Sequence, residues 1–474
     1  MAIMELLRAH RFALDVTPVQ VEVLQRYATA ARCGFDFALG YMTAVHRVWE
    51  RGRDRLVAEG MSRAEANKKA PRVQVPSAFQ AQAWFREVKG QPFIGPLPEG
   101  EEGKEPFPWW EGVSSRAYYT AFDDASTAFR NWRASAAGQR AGARVGYPRF
   151  KRRGGRERFR LVHNVKKPEI RFTGPRRLRI PGGGGQAAFT VRLHQSARDL
   201  VRRISAGTAV ITSVTVSREG HRWHASVLCR VEQSIPDRPT RRQVAAGRIG
   251  ADLGVSTLAT FSDPLTLHSH ARAVEAVDNP RHLENTRRKL ARAQRVMARR
   301  YVRGAAQQSK GYLEARDRVA KLHAQLSARR AHALHLISKR LVQQYAEVAL
   351  ETLNTKGMVA SAKGTTERPG RNVRQKAGLN RGILDAAFGE LNRQIEYKAL
   401  SYGARIARVS TYFPSSKTCS GCGWINQEQT LKDRQFHCRD CGLVLDRDRN
   451  AARNIKANAT STGYGSKQTP GEGL

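Results

Sequence analysis

The chain has 474 residues, with 82 Lys and Arg against 41 Asp and Glu, for a formal net charge of +41. That length exceeds one compact core and predicts roughly two to four domains. The charge excess predicts a polyanionic partner, nucleic acid first and an anionic membrane second. No run of 18 apolar residues occurs, which excludes an ordinary membrane-spanning helix, and MAIMELLRAHRFAL lacks a signal-peptide core with a cleavage site; a cytoplasmic protein is expected.

In chain order, residues 8–16 alternate as a strand does, and Thr17-Pro18 opens a long helix with Thr at the cap and Pro in the first turn. Helical patterning covers 61–135, interrupted by a Pro/Gly/acidic surface loop at 91–109. Within it Tyr118, Phe122, Ala125, Phe129 and Trp132 recur at spacings of three and four, the stripe of an amphipathic helix. Residues 145–160 (VGYPRFKRRGGRERFR) set aromatics among Lys and Arg. Tyr147 and Phe150, with Lys151, Arg152 and Arg153, are candidates for stacking on bases and pairing with phosphates; a solvated loop holding two core aromatics fits the pattern equally. Residues 168–231 read as strands, including a hairpin turning at Glu219-Gly220, and 237–240 as a linker.

From Arg248, RIGADLGVSTLATFSD predicts a strand, a glycine turn and a second strand. Residues 280–346 predict a basic helical stretch with Val319, Leu322, Leu326, Ala333, Ile337 and Leu341 on one face, either a coiled-coil hairpin or a surface resting on phosphates. VALETLN (348–354) predicts a short strand, 360–380 a flexible loop, 383–402 an amphipathic helix and ARIARVSTYF another strand. LDRDRNAARNIKANA predicts a helix with an Asp-rich start, and 460–474 a disordered tail.

Cys419 and Cys422, then Cys438 and Cys441, form two C-x2-C pairs separated by fifteen residues, with glycines beside the sulfurs. That spacing is a zinc ribbon's, and four thiolates would close a tetrahedral Zn²⁺, leaving no open position for catalysis. Cys33 and Cys229 read as buried small hydrophobes, and His437 as a surface residue. Three places offer a carboxylate in an unusual setting. Asp252 lies in an apolar strand, where an uncompensated charge is costly; Glu351 ends another; Asp446 and Asp448 open a helix, where the dipole favours anions. Singly each has an ordinary explanation. Together they are the hard oxygen donors that two-metal phosphodiester hydrolysis needs from separate elements.

The order of these motifs resembles the TnpB family of transposon-encoded RNA-guided nucleases and the compact type V CRISPR effectors related to it. GADLGVSTLATF is similar to the family's first RuvC motif, VALETLNTKGM to its second, and SSKTCSGCG, CRDCG and LDRDRNAARNI to its fused zinc ribbon and third motif. AHRFALDVTPVQ, AFRNWR with VGYPRFK, and GELNRQIEYKA extend the resemblance over nearly the whole chain. Ala251 stands where the family often has a β-branched residue, and extra length falls around 50–75 and 90–110.

The resemblance implies Asp252, Glu351 and Asp448 as ligands of two Mg²⁺ ions, Asp448 rather than Asp446 because the family's ligand lies two residues before the Asn of N-A-A, here Asn450. It implies a multidomain α+β chain: an RNase H-like (RuvC) α/β nuclease core with an inserted zinc ribbon, a β-barrel wedge domain and a helical recognition lobe. The boundaries would fall at 1–25 (wedge, first part), 26–160 (helical lobe), 161–243 (wedge, second part), 244–411 (RuvC motifs I and II), 412–445 (zinc ribbon), 446–459 (RuvC motif III) and 460–474 (tail). It implies a guide RNA and a target DNA as partners and no membrane, with a homodimer left open. The protein would read only a short motif beside the target and would act in the cytoplasm, at the nucleoid when on DNA. An RNA-guided binder that cuts weakly or not at all is the alternative; a basic RNA-packaging protein with a zinc ribbon accounts for the charge and the cysteines but not for the three acids.

Overall fold

A computed structural model describes residues 2–71, 73–89, 110–152, 155–166, 168–183, 187–268, 272–305, 307–430 and 432–461. The loop expected at 91–109, Arg153 and the tail beyond residue 461 lie outside the described residues. The chain divides into two compact units, one of residues 5–232, the other of 233–474 with the first four residues.

The first unit opens with strand β1 (Ala2–Asp15), several residues longer than the alternation at 8–16 predicts. Thr17 then caps helix α1 (Pro18–Ala58) in a reciprocal box with Gln20, and the helix runs 41 residues unbroken. Two shorter helices follow, α2 (Arg63–Lys69) and α3 (Ala78–Val88), each opened by the same kind of box, Ser62 with Glu65 and Ser77 with Gln80. The expected amphipathic helix is α4 (Ser115–Ala136), which buries Tyr118, Phe122, Ala125 and Phe129. It packs on α1 so closely that a Cβ on Gly34 would stand 2.8 Å from the Cβ of Tyr118. Strands β2 (Arg158–Val162), β3 (Arg171–Gly174), β4 (Arg177–Ile180) and β5 (Phe189–Leu193) precede helix α5 (Arg198–Ser205) and the long hairpin β6 (Ala209–Glu219) and β7 (Arg222–Ile235). They form one seven-stranded sheet in the order β2-β6-β7-β1-β5-β4-β3. The end of the basic run 145–160 is therefore strand, because Phe159 and Leu161 alternate inward against β6.

The second unit begins with helix α6 (Arg241–Ala246), capped by Thr240, and then builds a mixed sheet. Its elements are β8 (Arg248–Asp252), β9 (Thr257–Leu265), β10 (Val274–Asp278), α7 (His282–Arg300), α8 (Lys310–Gln344), β11 (Glu347–Glu351), α9 (Thr355–Met358), α10 (Val373–Ala386), α11 (Phe388–Tyr402), β12 (Arg405–Val409), β13 (Gln435–His437), β14 (Val444–Asp446), α12 (Arg447–Asn458) and β15 (Thr460–Ser461). The sheet order is β10-β9-β8-β11-β12-β15, with β8, β11 and β12 parallel and the outer strands antiparallel. The three central residues of β8 and of β11 are apolar and buried, as strands covered on both faces must be, with charged residues at the ends.

Three expectations change here. The loop expected at 360–380 is helical from Val373, held by the Lys376 and Asn380 side chains donating to the Met358 and Val359 carbonyls. The helix expected at 383–402 is two helices, broken where Ala387 takes a left-handed conformation (φ 55°). Thr460 and Ser461, expected in the tail, pair with β12, where Ser461 donates to the Glu347 carboxylate. The basic stretch is the hairpin α7–α8, whose Leu290, Ala293 and Val319 form a small core while Leu334, Ile337 and Leu341 pack on the sheet. Among the described residues no helix is long and apolar enough to cross a membrane.

Candidate metal centres

Asp252 and Glu351 end two neighbouring parallel strands. Leu350 pairs with Ala251, so Glu351 stands one step on, beside Asp252, at an interstrand spacing of about 4.8 Å. Asp448 arrives from α12, and Gly250 is why it can. A Cβ on Gly250 would lie 2.1 Å from the Ala452 carbonyl oxygen and 2.9 Å from Lys456 Cβ, so α12 rests directly on the bare backbone of β8. From Gly250 to Asp252 the strand advances about 6.6 Å, keeping the same face. From Ala452 back to Asp448 the helix advances one turn, about 6 Å. The two steps match, and Asp448 comes level with Asp252.

The electrostatics report the same meeting. The Asp252 carboxyl is pushed up to about 8, first by desolvation, then by the Glu351 and Asp448 charges, with Arg447 opposing. Asp252 keeps some solvent exposure, so crowding by protein desolvates it rather than full enclosure. Charges that penalise one another in this way favour a bound cation. Arg447 supplies part of that charge, its guanidinium 2.9 Å from the Asp448 carboxylate. The donor atoms of the three acids are not all within 4.8 Å of one another; among the described residues only the cysteines form such a group.

Asp446 does something else. Its carboxylate accepts from the backbone N–H groups of Asp448 and Arg449, both at 3.0 Å, and so caps α12. Asp446 is thus spent on the helix cap, and it is Asp448 whose charge acts on Asp252.

The four cysteines converge fully. Cys419 and Cys441 have their sulfurs 3.6 Å apart, Cys422 and Cys438 3.5 Å, and all four donors lie within 4.8 Å. These separations are far beyond a disulfide bond and close to the roughly 3.8 Å expected around a tetrahedral Zn²⁺. Gly421 N–H points at the Cys419 sulfur and Cys441 N–H at that of Cys438, contacts that would stabilise metal-bound thiolates. The cluster can hold a zinc ion. Phe436, buried with Cys419 and Cys438, forms a small apolar core on which Trp424 and Leu443 pack, and His437 is exposed.

The ribbon is fastened to α12 by residues to which the sequence reading assigns no such role. Asn450, fully buried, accepts from Ser420 N–H and donates to the Thr418 carbonyl. Asn454, one turn on, donates to the carbonyls of Thr418 and Ser415. Ser415 in turn donates its hydroxyl to Glu351 Oε1 at 2.6 Å. Two asparagines four residues apart on the apolar side of a short helix were the available signal; nothing marks Ser415 within SSKTC. On the same loop Tyr412 is 94% exposed.

The family model described as Probable transposase matches residues 226–362, and that described as Cas12f1-like, TNB domain matches 388–455. A Mycobacterium tuberculosis (strain ATCC 25618 / H37Rv) protein provisionally named an RNA-guided DNA endonuclease is 30% identical over 450 residues, covering 94% of this chain and 85% of its own length. The chain belongs to the TnpB family. An Escherichia coli K12 relative of this TnpB-family chain, InsQ, with the same provisional name, is 30% identical over 349 residues, covering 74% of this chain and 75% of its own length. A solved Cas12f1–sgRNA–target DNA complex aligns over 95% of this chain and 99% of its own at 10% identity, with a TM-score of 0.43.

Of the nucleic-acid candidates in this TnpB-family chain, Tyr147 packs edge-on to Trp132 at 4.6 Å and donates to Thr43. Lys151 places its ammonium 3.8 Å from the Phe35 ring centre, its backbone N–H bonded to Asp36. Phe150, 55% exposed, and Arg152 remain open to solvent. All four described candidates are exposed, and two of them, Tyr147 and Lys151, are also engaged by contacts within the chain.

Proposed function

We infer that this chain is an RNA-guided DNA endonuclease that hydrolyses target phosphodiester bonds at a RuvC-type site, beside a short motif read by the protein itself. The observation that carries the reading is that Glu351, from a neighbouring parallel strand, and Asp448, from a helix, both press their charge on the desolvated Asp252. The names of its relatives support the same activity. A mixed sheet whose parallel centre delivers the acids at one end supports the RNase H-like reading, with the ribbon inserted between β12 and α12.

Asp252, Glu351 and Asp448 would hold two Mg²⁺, which supply an activated water and charge stabilisation for the leaving oxygen. The chain's own part is to keep the carboxylates aligned and partly dry. Arg447, beside Asp448, offers a fixed positive charge to an approaching phosphate. The four-cysteine site would hold one structural Zn²⁺. The excess of 41 positive charges suits a guide RNA and a guide–target heteroduplex, with base pairing rather than protein contacts choosing the sequence. Action in the cytoplasm, at the nucleoid, follows from that substrate.

The test is cleavage and binding by the RNA-loaded protein. Asp252→Ala, Glu351→Ala and Asp448→Ala should each lower cutting by about three orders of magnitude or more, while target affinity changes little. Cutting by all three at the wild-type rate would leave only a binding protein. Sequencing the co-purified RNA separates a transposon-end guide from a repeat–spacer guide.

A further inference from the structure

We propose that Ser415 is a positioning residue of the nuclease centre, and that the loop entering the zinc ribbon is thereby part of that centre. The inference rests on the reading of Glu351 as a metal ligand. Glu351 is the last residue of β11, its backbone still paired with Val409 of β12, and its side chain reaches past the end of the strand pair formed with β8. One carboxylate oxygen, Oε1, accepts from the Ser415 hydroxyl at 2.6 Å. Oε2 is left for a cation. A carboxylate held by one oxygen has its free lone pairs aimed in a defined direction, and such outer partners fix the orientation of metal ligands.

Ser415 is itself fixed. It is 6% exposed, and its carbonyl accepts from Asn454 Nδ2 at 2.8 Å. Asn454 also holds the Thr418 carbonyl, which Asn450 shares, immediately before Cys419. Asn454 lies on α12, the helix that presents Asp448. One helix therefore sets Asp448 directly and Glu351 through Asn454 and Ser415, so the two acids are placed against a common frame. The hydroxyl has no other hydrogen-bond partner among those described, whereas a serine serving only the turn would bond its own backbone.

The experiment titrates Mn²⁺ into the full-length, zinc-loaded protein, reads free Mn²⁺ by electron paramagnetic resonance, and takes Asp252→Ala as the blank. Ser415→Ala should weaken the Asp252-dependent Mn²⁺ binding roughly 10- to 100-fold with zinc content unchanged at one per chain. Ser415→Thr, which keeps the hydroxyl, should bind nearly as wild type. Ser415→Val, matching Thr in volume, should bind as weakly as Ser415→Ala. This pair decides the matter even if Ser415→Ala loses zinc or fails to fold. Wild-type Mn²⁺ affinity in Ser415→Ala, or equal affinity in the Thr and Val variants, overturns the role of Ser415. If Asp252→Ala still abolishes cutting, the nuclease reading survives that result. If wild type binds Mn²⁺ no better than Asp252→Ala and both cut alike, the nuclease reading falls and the inference with it.

Discussion

The second unit holds two clusters of ligand-type side chains assembled by opposite means. The cysteines come from one stretch of 23 residues, Cys419 to Cys441, and turns within that stretch bring them together. The carboxylates come from β8, β11 and α12, with 195 residues between Asp252 and Asp448, and only the sheet and its covering helix bring them near one another. The first site belongs to a local segment that the ion itself can hold closed. The second belongs to the topology, and its carboxylates are only as well placed as the strands and helix carrying them.

That contrast can be broken at either site. The largest expected effect is Cys438→Ser. Structural zinc contributes about 10–16 kcal/mol in isolated zinc-finger peptides, and the ribbon's own core is small, Phe436 with the half-buried Trp424 and Leu443, so zinc per chain should fall from one to near zero and 412–445 should become protease-sensitive. Retained zinc and a resistant ribbon would mean that the segment is folded by its packing on α12.

Next is Gly250→Val. The added side chain meets the Ala452 carbonyl and must push α12 off β8, costing about 1–3 kcal/mol, seen as a lower denaturation midpoint. Cutting should fall at least tenfold although all three acids remain. Unchanged cutting would show that the carboxylates tolerate displacement of α12 and would dissolve the distinction between the two sites.

The smallest is Asp446→Ala, which removes a cap and should cost about 1 kcal/mol, with cutting reduced less than tenfold. A loss as deep as that of Asp448→Ala would put Asp446 in the site.

The same contrast explains what was legible. C-x2-C pairs announce their partners by spacing, and the Thr17-Pro18 cap, the Tyr118 stripe and the hairpin at Glu219-Gly220 are local patterns that the structure carries. The break at Ala387 was hidden because no glycine or proline marks it, and the helix at Val373 because its polar sequence is held by contacts from Met358 and Val359. Asp252, Glu351 and Asp448 were visible as odd acids, but their meeting depends on a bare glycine facing Ala452, a fact about packing rather than pattern. Ser415 was invisible for the same reason: its partner is 64 residues away.

The dependence on α12 also has a timetable. Synthesis proceeds from the N-terminus at about 5–20 residues per second, so β8 emerges on the order of 10–40 s before the helix that covers it. During that interval the backbone at Gly250 is an open trench, and Ala349, Ala407 and Val409 lack Ile455 to pack against. A nascent or prematurely ended chain would carry Asp252 and Glu351 without Asp448 and could not assemble the proposed centre. A nuclease built in this order stays unarmed on the ribosome until nearly all of its sheet has been made.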